Sequence, residues 1–257
     1  MNAMNVEYNV SGSGGAQTVI LGSSLGTDGF MWSEQVRLLP SHWNVVTFDL
    51  RGHGASPLSL DPPSIDDFAD DVIAIADDLS VERFAFCGLS IGGAIGQSLA
   101  ARHPGRISSL VLASTGLTIL SPQALQERSE RVLAEGTAWI AEVSASRWFT
   151  ERFLKDRPET VEAHMRHLRQ MVPRAYSDAC LALAGFDGRR VADSIAAPTL
   201  VLAGEDDVAT PPAGGRELAS AIRNAELRLI PESGHLCSVE QPEMFTDALR
   251  GHIEAYG

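Results

Sequence analysis

Three cysteines in 257 residues, Cys87, Cys180 and Cys237, are too few and too irregularly spaced for a disulfide framework, and an odd number cannot all pair. No apolar run approaches the roughly 20 residues that a bilayer-spanning helix needs. The opening Met1-Asn-Ala-Met-Asn-Val-Glu-Tyr has neither the basic region nor the apolar core of a secretory leader. These absences together read as a reduced, cytoplasmic setting. Basic residues are also scarce, 20 Lys and Arg against 33 Asp and Glu, for a net charge of -13. Such a surface repels nucleic acid and anionic membranes, so neither is expected as a partner. An anionic substrate would need a local cationic pocket. Metal-ligand sets are missing too. His164 and His167 lie one helical turn apart, but no further ligands accompany them, and they read as a surface pair.

What is present is an ordinary globular composition, 44% apolar and 21% charged, in a chain long enough for one sizeable core. Strand-like runs at 6–9, 17–21, 44–48, 84–87 and 107–112 alternate with helical patterns. One helix is expected over 31–39. Another opens at Ser64, with Asp67 in the place of a capping-box acid. Its apolar stripe is Ile65, Phe68, Val72, Ile75 and Leu79. The acids Asp66, Asp67, Asp70, Asp71, Asp77 and Asp78 then form its solvated face. From 117 to 187 strand-like runs vanish, and helical segments are punctuated by Pro122, Gly136, Pro158 and Pro173. Alternation resumes with strands at 198–203 and 226–230 and helices at 212–222 and 241–255. This pattern predicts an α/β fold, a mostly parallel central sheet with helices on both faces. Residues 1–116 and 188–257 form its core, and 117–187 an inserted helical cap.

The chemistry concentrates at Gly88-Leu89-Ser90-Ile91-Gly92, a G-x-S-x-G between a strand-like run and a helical pattern. That context describes a nucleophile elbow, where a strained strand-to-helix turn lifts one serine clear of the sheet and only small residues fit two positions away. A serine hydroxyl needs a base, and the base needs a carboxylate to fix its tautomer. His235, in Ser233-Gly-His, supplies the base after the last strand. Gly204-Glu-Asp-Asp207 supplies the acid after the preceding one, where spacing from Gly204 favours Asp207 over Glu205 and Asp206. His53 lies in a turn bordering such sites, and His103 ends the elbow helix. Oxyanion donors are expected in the backbone N–H groups of Ile91 and Leu25. Gly22 and Gly26 flank the second of these, and either could serve the loop's turn alone.

With these parts and Asp49-Leu-Arg-Gly-His-Gly-Ala-Ser in view, the chain resembles the α/β-hydrolases. Gly22-Ser-Ser-Leu-Gly-Thr-Asp, Phe86-Cys-Gly-Leu-Ser-Ile-Gly-Gly, Arg147-Trp-Phe-Thr150 and His235-Leu-Cys-Ser-Val-Glu-Gln-Pro narrow the resemblance to 3-oxoadipate enol-lactonases. One departure is Cys237-Ser238, where that family's pattern is nearer to Ser-Asn. The resemblance implies a small lactone or ester substrate bearing a free carboxylate, hydrolysed through Ser90, His235 and Asp207 without cofactor or metal. Ser24, Arg147 and Trp148 are the residues that would meet the substrate; packing of the cap is the competing role for Trp148, and Trp139 reads as core. The triad also fits a carboxylesterase, an acyl-homoserine lactonase or a carbon–carbon bond hydrolase, because one fold hosts many chemistries. A non-catalytic receptor on the same scaffold is a further alternative.

Overall fold

The computed structural model describes residues 6–257; the first five residues, on which the reading of a leaderless N-terminus partly rests, lie outside them. Among the described residues, seven strands form one sheet in the order β1-β3-β2-β4-β5-β6-β7. They are β1 (Tyr8–Ser11), β2 (Thr18–Gly22), β3 (Asn44–Phe48), β4 (Phe84–Leu89), β5 (Ile107–Ala113), β6 (Thr199–Gly204) and β7 (Ala225–Ile230). Only β1 runs antiparallel, against β3; every other pairing is parallel. The central strands β2, β4, β5 and β6 are buried along their whole length, as near-continuous apolar runs covered on both faces must be. The chain steps outward from β2 to β3, then returns to place β4 on the other side of β2. The loops after β2 and β4 therefore diverge, and the crevice between them is where ligands bind in open α/β sheets.

Helices α1 (Ser33–Leu38), α2 (Ile65–Asp78) and α3 (Ile91–Arg102) follow β2, β3 and β4 in turn. The capping box of α2 forms in both directions between Ser64 and Asp67, and Ile65, Phe68, Val72 and Ile75 are buried as its spacing requires. Between β5 and β6 lie α4 (Pro122–Glu135), α5 (Ala138–Trp148), α6 (Glu151–Asp156), α7 (Pro158–Gln170) and α8 (Pro173–Ala184). Pro122, Pro158 and Pro173 each stand at a first helical position, where the missing N–H costs nothing. Within this insert α4 packs on α8 and α5 on α7. The last part of the chain carries α9 (Pro212–Ala221), α10 (Cys237–Glu240) and α11 (Pro242–Tyr256). Cys87, Cys180 and Cys237 are free and buried. Among the described residues, no helix is long and apolar enough to cross a membrane.

Four sequence expectations need correction. The first strand lies at Tyr8–Ser11 rather than 6–9, because the Glu7 amide is taken by the Ser56 hydroxyl instead of the sheet ladder. The helix expected over 31–39 begins as a 3-10 turn at Gly29–Trp32, capped by Asp28, and becomes α-helical only at Ser33. Asp71 is not solvated. It is 1% exposed, and both its oxygens meet the Arg51 guanidinium at 2.7 Å. His164 and His167 are not a surface pair either: His164 is buried, with Nδ1 2.9 Å from the Thr160 carbonyl. His167 reaches across to Asp28 at 2.5 Å, and Phe30 stacks on its ring. The Phe30 ring also lies 5.2 Å from that of His164, so both histidines fasten α7 to the segment that follows β2.

Candidate active site

At the end of β4 the backbone of Ser90 takes φ 59° and ψ -114°, outside the regions a non-glycine residue ordinarily occupies. Such strain costs about 1–3 kcal/mol and persists only where surrounding contacts over-determine it. Those contacts are present. The Ser90 amide donates to Ala113 O at 2.9 Å, and Ser90 O accepts from the Thr115 hydroxyl at 3.0 Å. A Cβ on Gly88 would lie 2.0 Å from Gly92 O, and one on Gly92 would lie 2.3 Å from Gly22 O. No side chain fits at either glycine. Helix α3 starts at Ile91, so its first amides have no partner within the helix and point their positive dipole end toward Ser90.

Ser90, Ser24, Leu25, His235, Arg147 and Trp148 all line one cavity of about 380 Å³. His235 Nδ1 stands 2.9 Å from Asp207 Oδ2 and 3.1 Å from Thr210 Oγ1. Asp207 is fixed in turn: Oδ1 accepts from the amides of Ala209 and Thr210 at 2.8 and 2.9 Å, and Oδ2 from the Thr210 hydroxyl at 2.6 Å. Burial alone would raise the Asp207 carboxyl, but the His235 ring and the Thr210 donors outweigh it and hold it below the usual aspartate value. Glu205 and Asp206 are exposed and Asp207 is buried. Asp207 is the acid that meets the ring.

On the other side of the crevice, the loop after β2 is braced from within. The Ser24 amide donates to the Met31 sulfur at 3.2 Å, and Ser24 O accepts from the Thr27 amide and hydroxyl. Gly26 takes φ 85°, and a Cβ there would meet Leu168 at 2.8 Å, so this glycine serves both the turn and the close approach of the insert. Leu25 is 8% exposed and faces the cavity.

Several residues that sequence reasoning passed over also line the cavity, among them Arg128, Arg131 and Tyr176, and so does Trp139, a core residue on the sequence reading. Trp139 is half-buried rather than core, with the Arg131 guanidinium 3.9 Å over its ring. Arg131 has an acidic partner in Glu135, whereas neither Arg128 nor Arg147 makes an ion pair among the described residues. Spacing on α4 offered a signal, since Arg128 and Arg131 are three apart and share a face. Thr210, three residues after Asp207, fits a side-chain turn. His53 is fully buried instead of facing the cavity, with Nδ1 3.3 Å from Arg51 O; burial pushes its pKa down to about 4. His103 closes α3 and lies 3.5 Å from Asp70.

A buried elbow serine, a histidine on a carboxylate and a divergent-loop crevice on a parallel sheet define an α/β hydrolase, and residues 17–242 match the family model described as alpha/beta hydrolase fold. The chain belongs to the α/β hydrolase fold family, as an enzyme similar to the enol-lactonases. It is 36% identical over 251 residues to 3-oxoadipate enol-lactonase 2 of Acinetobacter baylyi, covering 98% of this chain and 94% of the relative. The crystal structure of the enol-lactonase from Burkholderia xenovorans LB400 superposes with a TM-score of 0.94 at 34% identity, covering 97% of this chain and 96% of that one. RutD of Caulobacter sp. (strain K31), named as a candidate carbamate hydrolase, is 33% identical over 239 residues, 91% of this chain and 89% of the relative.

Proposed function

We propose that this enzyme opens 3-oxoadipate enol-lactone to 3-oxoadipate by nucleophilic catalysis at Ser90. The observation that carries the reading is a single cavity lined by Ser90, His235, Arg128 and Arg147, where these two arginines make no ion pair among the described residues. An apolar-walled cavity with a few convergent polar groups suits a small organic substrate. Guanidinium groups with no ion-pair partner among the described residues, in a protein of net charge -13, suit one bearing a carboxylate. The relatives named enol-lactonases supply the particular lactone.

In this mechanism Ser90 Oγ attacks the lactone carbonyl while His235 Nε2 takes its proton. Asp207 holds the ring through Nδ1 and stabilises the imidazolium that forms. The amides of Leu25 and Ile91 receive the oxyanion. Collapse of the tetrahedral intermediate breaks the ring C–O bond. The enolate that leaves takes the proton from His235, which is neutral again, and settles as the ketone, still tethered to Ser90 through the acyl ester. His235 then activates a water, which attacks that ester, and the proton returns to Ser90 as 3-oxoadipate departs. Arg128, Arg147 and the Trp148 indole N–H hold the substrate carboxylate, and Ser24 borders the reacting carbonyl.

Steady-state turnover of the enol-lactone beside 4-nitrophenyl acetate and a simple carbamate tests the assignment. The lactone is expected to have the highest kcat/KM; faster turnover of the plain ester or the carbamate would move the assignment to that substrate. Ser90→Ala is expected to lower kcat by about 10⁴-fold to 10⁶-fold with the unfolding transition unchanged. Turnover near the parent's would remove Ser90 from the mechanism.

A further inference from the structure

The two residues that flank His235 are both fastened to the same stretch of the helical insert. The Leu236 amide donates to Trp148 O at 3.0 Å. The Gly234 amide donates to Glu240 Oε1 at 2.9 Å. That same carboxylate accepts the Thr150 amide at 3.2 Å and the Thr150 hydroxyl at 2.7 Å. Glu240 is 8% exposed, ends α10, and lies six residues from Gly234 in the chain, whereas Thr150 is 90 residues from Glu240. Thr150 in turn caps α6, its oxygen accepting the Phe153 amide at 3.2 Å. Trp148, two residues earlier, presents its side chain to the substrate cavity and its carbonyl to the loop of His235.

We propose that Glu240 is a positioning residue, which ties the placement of His235 to the seating of the Trp148–Thr150 segment over the cavity. The proposal rests on His235 being the general base of the mechanism above. A carboxylate suits this position because its two oxygens, acceptors only, meet three donors from two parts of the chain. A Cβ on Gly234 would lie 3.0 Å from both Glu240 Oε1 and Trp148 O, so the loop is held at close range from two sides. Substrate that engages Arg147 and Trp148 from within the cavity thereby steadies the segment on which the base is hung. Glu240 touches neither substrate nor reacting atoms; it acts through the backbone beside His235.

The test compares Glu240→Ala, Glu240→Gln and Thr150→Val with the parent enzyme on the enol-lactone, far below each variant's Tm. Misplacing a catalytic group by about 1 Å costs on the order of 100-fold. Glu240→Ala is therefore expected to lose roughly tenfold to 100-fold in kcat, with KM changed less than about threefold. Glu240→Gln, which keeps one acceptor oxygen, should recover part of that loss. Thr150→Val, which removes a single hydroxyl, should cost about threefold in kcat and so carries the test if Glu240→Ala does not fold. The double variant Glu240→Ala/Thr150→Val should lose less than the product of the two single losses, because the Thr150–Glu240 contact is shared, while the α6 cap is lost only with Thr150. Losses that multiply, a Glu240→Ala kcat within about twofold of the parent, or an unaltered Thr150→Val would each overturn the proposal. Ser90→Ala in the same assay separates the two levels. Abolished turnover there with an unaffected Glu240→Ala sinks the positioning role alone, whereas full turnover in Ser90→Ala removes the underlying mechanism.

Discussion

Asp207 uses both carboxylate oxygens, one on two backbone amides and the other on His235 and Thr210, so no orientation of an asparagine amide satisfies all of them. Asp207→Asn is accordingly expected to lower kcat by about 10³-fold to 10⁴-fold, the scale for loss of a triad carboxylate. Asp206→Asn, on an exposed neighbour, should stay within about twofold. Steady-state kinetics of the pair decides, and the reverse ranking would reassign the acid. Substrate charge is read at the same scale. A hydrogen bond to a charged group contributes about 1.5–3 kcal/mol. Arg128→Ala and Arg147→Ala should each raise KM for the anionic lactone by roughly tenfold to 100-fold while leaving that for 4-nitrophenyl acetate nearly unchanged. Equal effects on both substrates would mean that these side chains shape the wall and do not read the carboxylate.

Among the elements, the elbow leaves the least room. An alanine at Gly88 or Gly92 drives a Cβ into backbone that cannot move without opening the turn. Either substitution should cost more than about 2 kcal/mol, seen as a lower urea midpoint at constant slope. Helix α2 carries a different dependence. Asp71→Ala strips the buried Arg51 of its bidentate partner, and breaking one side of such a pair costs about 3–5 kcal/mol. That pair also marks where sequence reasoning runs out. Ser64 and Asp67 announce the start of α2, and Ile65, Phe68, Val72 and Ile75 its buried face, because capping and periodicity are local properties. Asp71 sits beside that stripe, and its fate depends on Arg51, delivered by the turn after β3 from 20 residues away. His164 and His167 were unreadable for the same reason: Phe30 and Asp28 reach them from another part of the chain. Motif spacing put Asp207 and His235 within reach of each other, and Thr210 lies at side-chain-turn spacing from Asp207, but the Glu240 contact to Thr150 shows itself only once the loops are folded.

For the molecule as a whole, buried ionisable groups pull stability in opposite directions as pH falls. His53 is held neutral, its pKa lowered from 6.5 to about 4. Between those values the unfolded chain binds a proton that the native state refuses, so stability is full above about pH 6.5 and is lost toward pH 4. The loss amounts to about 3 kcal/mol. Asp207, held below its usual value by His235 and Thr210, adds a loss at still lower pH. Asp49 and Glu240, raised by burial, work the other way, since the native state takes up their protons first and gains stability as pH falls through their range. Urea midpoints at pH 7 and pH 4.5 should show the net fall, and His53→Gln should flatten it; a parallel profile in the variant would take the slope away from His53. The three buried thiols give the protein a timing record of its own opening. Burial pushes Cys180 and Cys237 up to about 12 and Cys87 up as well, so essentially no thiolate exists in the closed state and a thiol reagent waits for exposure. Cys180 lies in the insert on α8, Cys237 on α10 with its sulfur 3.4 Å from the Ser114 hydroxyl, and Cys87 at the sheet's centre on β4. If the insert opens as a unit of its own, Cys180 is modified first and Cys87 survives until global unfolding. Simultaneous modification of all three would instead mean that the helices over the cavity and the sheet beneath it let go together.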